Sequence, residues 1–333
     1  MEKALVTGGA GFLGQYLVRA LLNRGDLVRS FDLEVPPVAP KDLKYIKGDV
    51  RDKASLVRAC EGMNVVYHLA SLIPQRKADV ETMRAVNVEG TRNVLEAARE
   101  AGVRRVVYLS SVEIFGVPKK VPCSENGPLE PLGEYGSDKI AAEQLCRESN
   151  TKGLPVVILR PPTIIGPGLD EPFLLNLLAS IKKGSAVTLP GKGDNRFQFI
   201  HVEDVVSACL LAADNPNAPG EAFNIGGKNV PSISECVRLV AERVGSPSYV
   251  RHVPVWLVRL AIGILRPFGK APLEPEHVKI AMTDYLFDIG KAKRVLGWEP
   301  RHDIVDALVE TYRAIVDPES PGEGRGGVRS RGQ

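Results

Sequence analysis

A run of glycines separates two segments of different periodicity. Residues 7–14 read Thr7-Gly8-Gly9-Ala10-Gly11-Phe12-Leu13-Gly14. The residues before them, Lys3–Thr7, form a short apolar run of the kind a buried strand makes, and 12–24 carries apolar residues at helical spacing. A strand that must turn at once into a helix, through residues without Cβ, restricts the fold to a small set. Glycine here lets the chain turn tightly and lets a pyrophosphate approach the backbone. The helix behind the loop then offers free N–H groups and the positive end of its dipole.

The same alternation continues along the first half of the chain. Lys3–Thr7, Leu27–Asp32, 44–47, 65–69, Arg105–Leu109 and Val156–Arg160 read as strands, and 12–24, 53–60, 82–101 and 135–150 as helices. The strands are almost continuously apolar, which fits a parallel sheet covered on both faces. The expected fold class is therefore α/β, a Rossmann-type doubly wound parallel sheet. After Arg160 the pattern loosens. Residues 161–168 read as a loop, 172–183 as a helix, 197–213 as a strand and helix, and 222–225 as a short strand.

Composition narrows the functional classes. Forty-three Lys and Arg against forty Asp and Glu leave a net charge of +3, too little for a field that draws nucleic acid or an anionic membrane. The five cysteines, at 60, 123, 146, 209 and 236, contain no C-x-x-C pair, and no secretory leader is read at the amino terminus, so a reduced cytoplasm is expected. The five histidines show no metal-binding spacing, and no metal is expected. The apolar stretch 253–268 is interrupted by Arg259 and Arg266 and is too short to span a bilayer.

Two further features carry chemistry. Asp32 ends the second strand, 18 residues past Gly14. A carboxylate there accepts both ribose hydroxyls of an adenosine and repels a 2′-phosphate, which favours NAD over NADP. Asp49 and Val50, after the third strand, fit a contact with the adenine edge. Tyr135 and Lys139 lie four apart, on one face of a helix. A phenol titrates near pH 10, so acting as a base near neutrality requires a fall of roughly three pH units, or about 4 kcal/mol. A neighbouring ammonium has the right sign for that. Ser110 and Ser111 stand at the end of the strand Arg105–Leu109, where a hydroxyl can hold a substrate oxygen against the phenol.

With these residues the chain resembles the extended short-chain dehydrogenase/reductase family, the NAD-dependent epimerase/dehydratase group. The resemblance runs over residues 1–312, through Gly8, Gly11 and Gly14, His68-Leu69-Ala70, Asn87-Val88-Glu89-Gly90-Thr91, Ser110-Ser111, Tyr135 with Lys139, Arg160-Pro161, 199–204 and 288–300. It implies NAD as cofactor, held by Gly8, Gly11, Phe12, Leu13, Gly14, Asp32, Asp49, Val50, Leu69, Ala70, Ser71, Asn87, Tyr135, Lys139 and Pro161. It also implies Tyr135 as acid/base, Lys139 as the group that binds ribose and lowers the phenol pKa, and Ser111 as the hydroxyl that positions the reacting oxygen. Ser110 reads as structural. The implied chemistry is hydride transfer between NAD and a secondary alcohol or ketone of a small-molecule substrate.

Substrate class divides the family. Glu113 matches a position where dehydratases and decarboxylases similar to this chain carry a glutamate, but Val112 replaces the aspartate many dehydratases place before it. Nucleotide-sugar enzymes carry an arginine where this chain has Phe197, with Arg196 one residue earlier. That offset, together with the apolar stretch 253–265, favours a fairly apolar or small hydroxy compound, as in 3β-hydroxysteroid dehydrogenase-like members. A nucleotide-sugar epimerase or dehydratase is the alternative, and a non-catalytic NAD-binding regulatory protein is a third reading. Expected substrate contacts are Ser111, Glu113, Thr163 and Arg196. The domain expectation is an NAD-binding unit over 1–162, joined again by 197–226, and a substrate unit over 163–196 and 227–316, with 317–333 as a disordered tail. The resemblance also implies a homodimer across the helix bearing Tyr135 and the one before it, with Ile140, Ala141, Leu145, Val94 and Ala97 suited to that face.

Overall fold

A computed structural model describes residues 1–34, 43–73, 79–258, 260, 279–280 and 282–316. The expected tail at 317–333 and most of the apolar stretch beyond Leu260 lie outside the described residues. Seven parallel strands form the central sheet: β1 (Lys3–Thr7), β2 (Leu27–Asp32), β3 (Leu43–Lys47), β4 (Val65–His68), β5 (Arg105–Leu109), β6 (Val156–Arg160) and β10 (Ala222–Asn224), in the order β10-β6-β5-β4-β1-β2-β3. The chain leaves β1 in one direction to β2 and β3, then crosses back to β4. The point of reversal, at the carboxyl ends of β1 and β4, is where an open α/β sheet leaves a crevice.

Side-chain alternation along each strand builds two cores. Ala4 and Val6 of β1 face α1 (Phe12–Asn23), α7 (Val202–Asp214) and α9 (Gly290–Leu296), packing with Leu17, Leu21, Val205, Cys209 and Trp298. Leu5 faces the other side, where α2 (Lys53–Cys60), α4 (Thr91–Glu100) and α5 (Glu134–Thr151) supply Leu56, Leu95, Ala98, Ala142 and Cys146. Val94 and Ala97, expected on a dimer face, are fully buried in this second core and serve the subunit itself. Among the described residues, no helix is long and apolar enough to cross a membrane.

The expected helix over 82–101 is three pieces: α3 (Val80–Arg84), a π-helical turn over Ala85–Gly90, and α4. The expected loop at 161–168 contains β7 (Thr163–Ile165), which pairs in parallel with β9 (Phe199–His201), Thr163 lying opposite Phe199. Three residues hemmed by proline and glycine are too few for a periodic signal. A third core joins α6 (Pro172–Lys182), β8 (Val187–Pro190), α8 (Ile233–Arg243) and α10 (Ile304–Val316), and β8 pairs with β11 (Val250–Val253).

Candidate active site

The glycine loop is a cradle with no room for side chains. A Cβ on Gly14 would lie 2.0 Å from the Gly8 carbonyl oxygen, and one on Gly9 2.3 Å from Ser30 Oγ. Gly8, at φ +74, brings its Cα so close to the next strand end that a Cβ would lie 2.7 Å from the Ala70 nitrogen. Several helix amino termini here are capped by a side chain, as Asp52 caps α2, Glu171 caps α6 and Ser232 caps α8. The residue before α1, Gly11, provides no such cap and the first turn holds no acid, so its N–H groups face the crevice as a site for an anion. Asp32 stands beside the loop, one oxygen accepting the Ala10 N–H at 3.0 Å. Leu33, next to it, is exposed and adds no positive charge. These residues fit a dinucleotide.

Other expected cofactor contacts have partners within the chain. Asp49 is clasped by the Arg51 guanidinium at 2.5 Å, which holds its carboxyl below the usual range. The Val50 carbonyl accepts from Asn93, and its side chain fills the space beside Gly90. The Leu69 N–H continues the ladder to Thr7, and the Pro161 carbonyl accepts from Val112. Asn87, only 1% exposed, grips the turn after β4: its amide exchanges two hydrogen bonds with the Leu72 backbone and accepts from Ser71 Oγ. His68 lies buried beneath this turn between Thr7 Oγ1 and Thr91 Oγ1, at 2.7 and 2.9 Å. Because Thr91 donates to the Asn87 carbonyl, His68 must donate from Nε2 and accept at Nδ1. Burial pushes its pKa down to about 3, so it stays neutral.

The chemical residues converge from β5 and α5. Lys139 is buried, its Nζ donating to the Leu109 carbonyl at 2.9 Å and lying 5.6 Å from the centre of the Tyr135 ring. Burial pushes its pKa down to about 8. The Ser71 and Ser111 hydroxyls lie near the Tyr135 phenol and favour its ionised form. The phenol's pKa was expected to be lowered by Lys139; instead burial pushes it up, and the Glu113 carboxylate adds to the rise. Ser110 and Ser111 separate clearly. Ser110 Oγ donates to Glu143 at 2.7 Å, inside a buried ion pair between Glu143 and Arg160, whereas Ser111 faces the phenol and accepts the Glu113 N–H at 3.1 Å. Glu113 is reached by solvent at its surface, yet protein crowds its carboxyl, and that crowding governs its charge: burial raises its pKa to about 7 against the pull of Lys139.

The expected substrate contacts are divided. Ser111 and Glu113 meet Tyr135, but Thr163 belongs to the β7–β9 pair. Arg196 is bound to Asp284, with its backbone N–H and its guanidinium both donating, at 2.8 and 2.7 Å. Phe197 instead stacks on Tyr285, ring centres 5.1 Å apart, beside Phe199 at 4.9 Å. Tyr285 in turn meets Phe287 edge to face, and Phe287 stacks on Phe115, two residues past Glu113. This aromatic cluster, in which Phe115, Tyr285 and Phe287 are buried as a small core, and Glu143 were not among the expected site residues. Glu143 is four residues past Lys139 on α5, a spacing that places it on the same face; the cluster joins residues too distant in sequence for any spacing rule.

A further titratable group lies at the amino end of α7. His201, Glu203 and His302 bring one donor each within 4.8 Å of one another. His201 Nδ1 accepts the Glu203 N–H at 3.4 Å, which leaves the ring proton on Nε2, 3.3 Å from Glu310. His302 sits between Asp204 and Glu203, at 3.2 and 3.5 Å. His201 thus meets Glu310 through Nε2, and His302 lies against two carboxylates.

Residues 4–226, more than half of the chain, match the model of the NAD dependent epimerase/dehydratase family. The chain belongs to this family. It is an NAD-dependent enzyme of the extended short-chain dehydrogenase/reductase type. It is 33% identical to the 3 beta-hydroxysteroid dehydrogenase/Delta 5-->4-isomerase of Mycobacterium tuberculosis, over 93% of this chain and 89% of the other. It is 30% identical to the sterol-4-alpha-carboxylate 3-dehydrogenase, decarboxylating, of Mus musculus, over 94% and 91%. Its fold is similar to that of UDP-glucuronic acid 4-epimerase from Bacillus cereus in complex with NAD, with a TM-score of 0.77, 25% identity, and coverage of 94% and 98%.

Proposed function

We propose that the protein oxidises a secondary alcohol on an apolar, ring-bearing substrate, or reduces the corresponding ketone. The observation that carries this reading is the absence of a free cation at positions 196 and 197. Where a diphosphate would need a cation, Phe197 stacks on Tyr285 and the adjacent Arg196 is tied to Asp284. The names of the steroid and sterol relatives point the same way. NAD, when bound, supplies the hydride acceptor or donor. The protein's own part is to place the cofactor, hold the alcohol and move one proton. Gly8, Gly11 and Gly14 with the first turn of α1 hold the pyrophosphate, and Asp32 faces the adenosine ribose. Ser111 Oγ holds the reacting oxygen, Tyr135 Oη exchanges the proton with it, and the Lys139 ammonium binds the cofactor ribose.

A second reading, a nucleotide-sugar 4-epimerase or dehydratase, is supported by Glu113. A carboxyl with a pKa of about 7 beside the reacting centre is suited to proton transfer at a neighbouring carbon. Thermal shift of the NAD-loaded protein with steroids, short hydroxy acids and nucleoside diphosphates separates the two. The proposal expects stabilisation and NADH formation with a steroid-like alcohol, and a shift only with a nucleoside diphosphate overturns it. In the same assay Tyr135→Phe lowers turnover by roughly a hundredfold or more while NAD still binds.

For the assembly, we infer a homodimer across α4 and α5. The surface between these helices is a groove lined by Leu95 and Leu145 and by Arg92, Glu96, Arg99, Glu148 and Lys152. All five cysteines are free thiols buried in the fold, which suits a reducing cytoplasm.

A further inference from the structure

Strand β5 and helix α5 meet on one face of the sheet. Tyr108, next to last in β5, alternates onto the side that packs α5, where Ala142 and Cys146 join it in the second core. Lys139 precedes these two by three and seven positions, so all three lie on the helix face turned to the sheet. Lys139 Nζ lies over the Tyr108 ring, 5.0 Å from its centre, and over the Tyr135 ring at 5.6 Å.

A buried ammonium needs compensation, and carboxylates do not give it by contact. Among the described residues Lys139 makes no ion pair. Of the carboxyls whose charge it feels, Glu143 is bound to Arg160 and Asp138 to Arg84, and Glu113 makes no ion pair with it. The Cys146 thiol is kept protonated by burial. From β4, His68 pairs with Tyr108 across the strands and turns its imidazole to the same ring at 5.5 Å, but it is neutral. What the ammonium has is the Leu109 carbonyl and two aromatic faces.

An aromatic face attracts a cation within about 6 Å of the ring centre, most strongly away from water. It does so without taking up an N–H. An ammonium has three donors; with one on Leu109, two remain for a ligand. A carboxylate in contact would consume one of them. The two rings differ in their duties. Tyr135 exchanges a proton during the reaction. Tyr108 is buried, and its hydroxyl has no hydrogen-bond partner among the described residues, so its part is played by the ring.

We propose that Tyr108 is a positioning residue: its ring face holds the Lys139 ammonium charged and in place, and leaves two N–H groups free for the cofactor ribose. This rests on Lys139 as the ribose-binding group of the proposed function.

The test reads the Lys139 amine directly. The full chain is prepared with lysine labelled with carbon-13 at Cε, the Lys139 resonance is assigned with Lys139→Met, and its titration is followed without NAD. Burial brings this amine down to about 8, within easy reach of a titration. Tyr108→Phe keeps the ring and is expected to titrate near the wild type. The same phenylalanine carrying one, two and three ring fluorines keeps the shape and weakens the face step by step. The acid dissociation constant of Lys139 should rise with each fluorine, to roughly tenfold at three, the scale of one desolvated cation–π contact. A merely structural role would not follow the fluorine count. A titration indifferent to fluorine, or one that moves upward, overturns the proposal. So does a Tyr108→Phe shift as large as that of the trifluorinated ring, which would put the effect in the hydroxyl. The reading beneath fails separately: NAD affinity unchanged in Lys139→Met would overturn the ribose contact and leave the titration result standing.

Discussion

Arg160 and Glu143 form an ion pair with both side chains almost wholly enclosed, and Arg160 also donates to the Glu125 carbonyl and covers the Phe115 ring. Arg160→Met would leave the Glu143 carboxylate charged with its main partner gone. The expected cost is about 3–5 kcal/mol, read as a lower urea midpoint at unchanged slope. Glu113 matters at the same scale but for charge. Its carboxylate raises the Tyr135 phenol, and the carboxyl itself titrates at about 7. Glu113→Gln therefore shifts the pH dependence of alcohol oxidation to lower pH; a profile that moves upward would contradict the assigned coupling. Tyr135, Lys139 and Ser111 were legible in the sequence because a four-residue spacing and a strand end are local features. The commitment of Arg196 to Asp284 was not, since the two are separated by 88 positions and only the fold joins them.

Whole elements show the same division between local and distant information. Strands β1, β4, β5 and β6 were readable because each is a nearly continuous apolar run buried along most of its length, and the expected limits of all six strands, β2 and β3 included, match to within a residue at each end. The π-helical turn was not, because helical periodicity assumes 3.6 residues per turn and an inserted residue merely shifts the phase. Strands β7, β8 and β11, three or four residues each, owe their existence to pairing partners elsewhere in the chain. The βα1 unit itself was legible down to its glycines. Gly14→Ala, whose added Cβ would collide with the Gly8 carbonyl, is expected to abolish NAD binding in calorimetry. Asp52→Ala removes a cap from α2, remote from the cleft. It should lower the melting temperature slightly and leave NAD affinity unchanged.

Across the whole molecule, stability should respond to pH through the group at the amino end of α7. Asp204, chiefly through its hydrogen bond, raises His302, while the carboxyls of Asp204 and Glu310 are held low. The histidine's share of stability is present at acid pH and is lost as pH rises through its elevated pKa. The carboxylates' share is present above their ordinary range and is lost as pH falls through their depressed values. The group thus contributes most in the mildly acidic window between, and His302→Ala should lower the melting temperature more there than in alkaline buffer. The order of the central sheet bears on how far the chain can be divided. Strand β10 is made from residues 222–224, yet it lies beside β6, and α7 completes one of the two cores. A recombinant fragment ending at residue 162 would expose β6 as a bare edge, apolar in four of its five residues, a template for intermolecular pairing. It should be recovered in aggregates visible by light scattering, so the nucleotide-binding half cannot be excised at the place where its consecutive strands end.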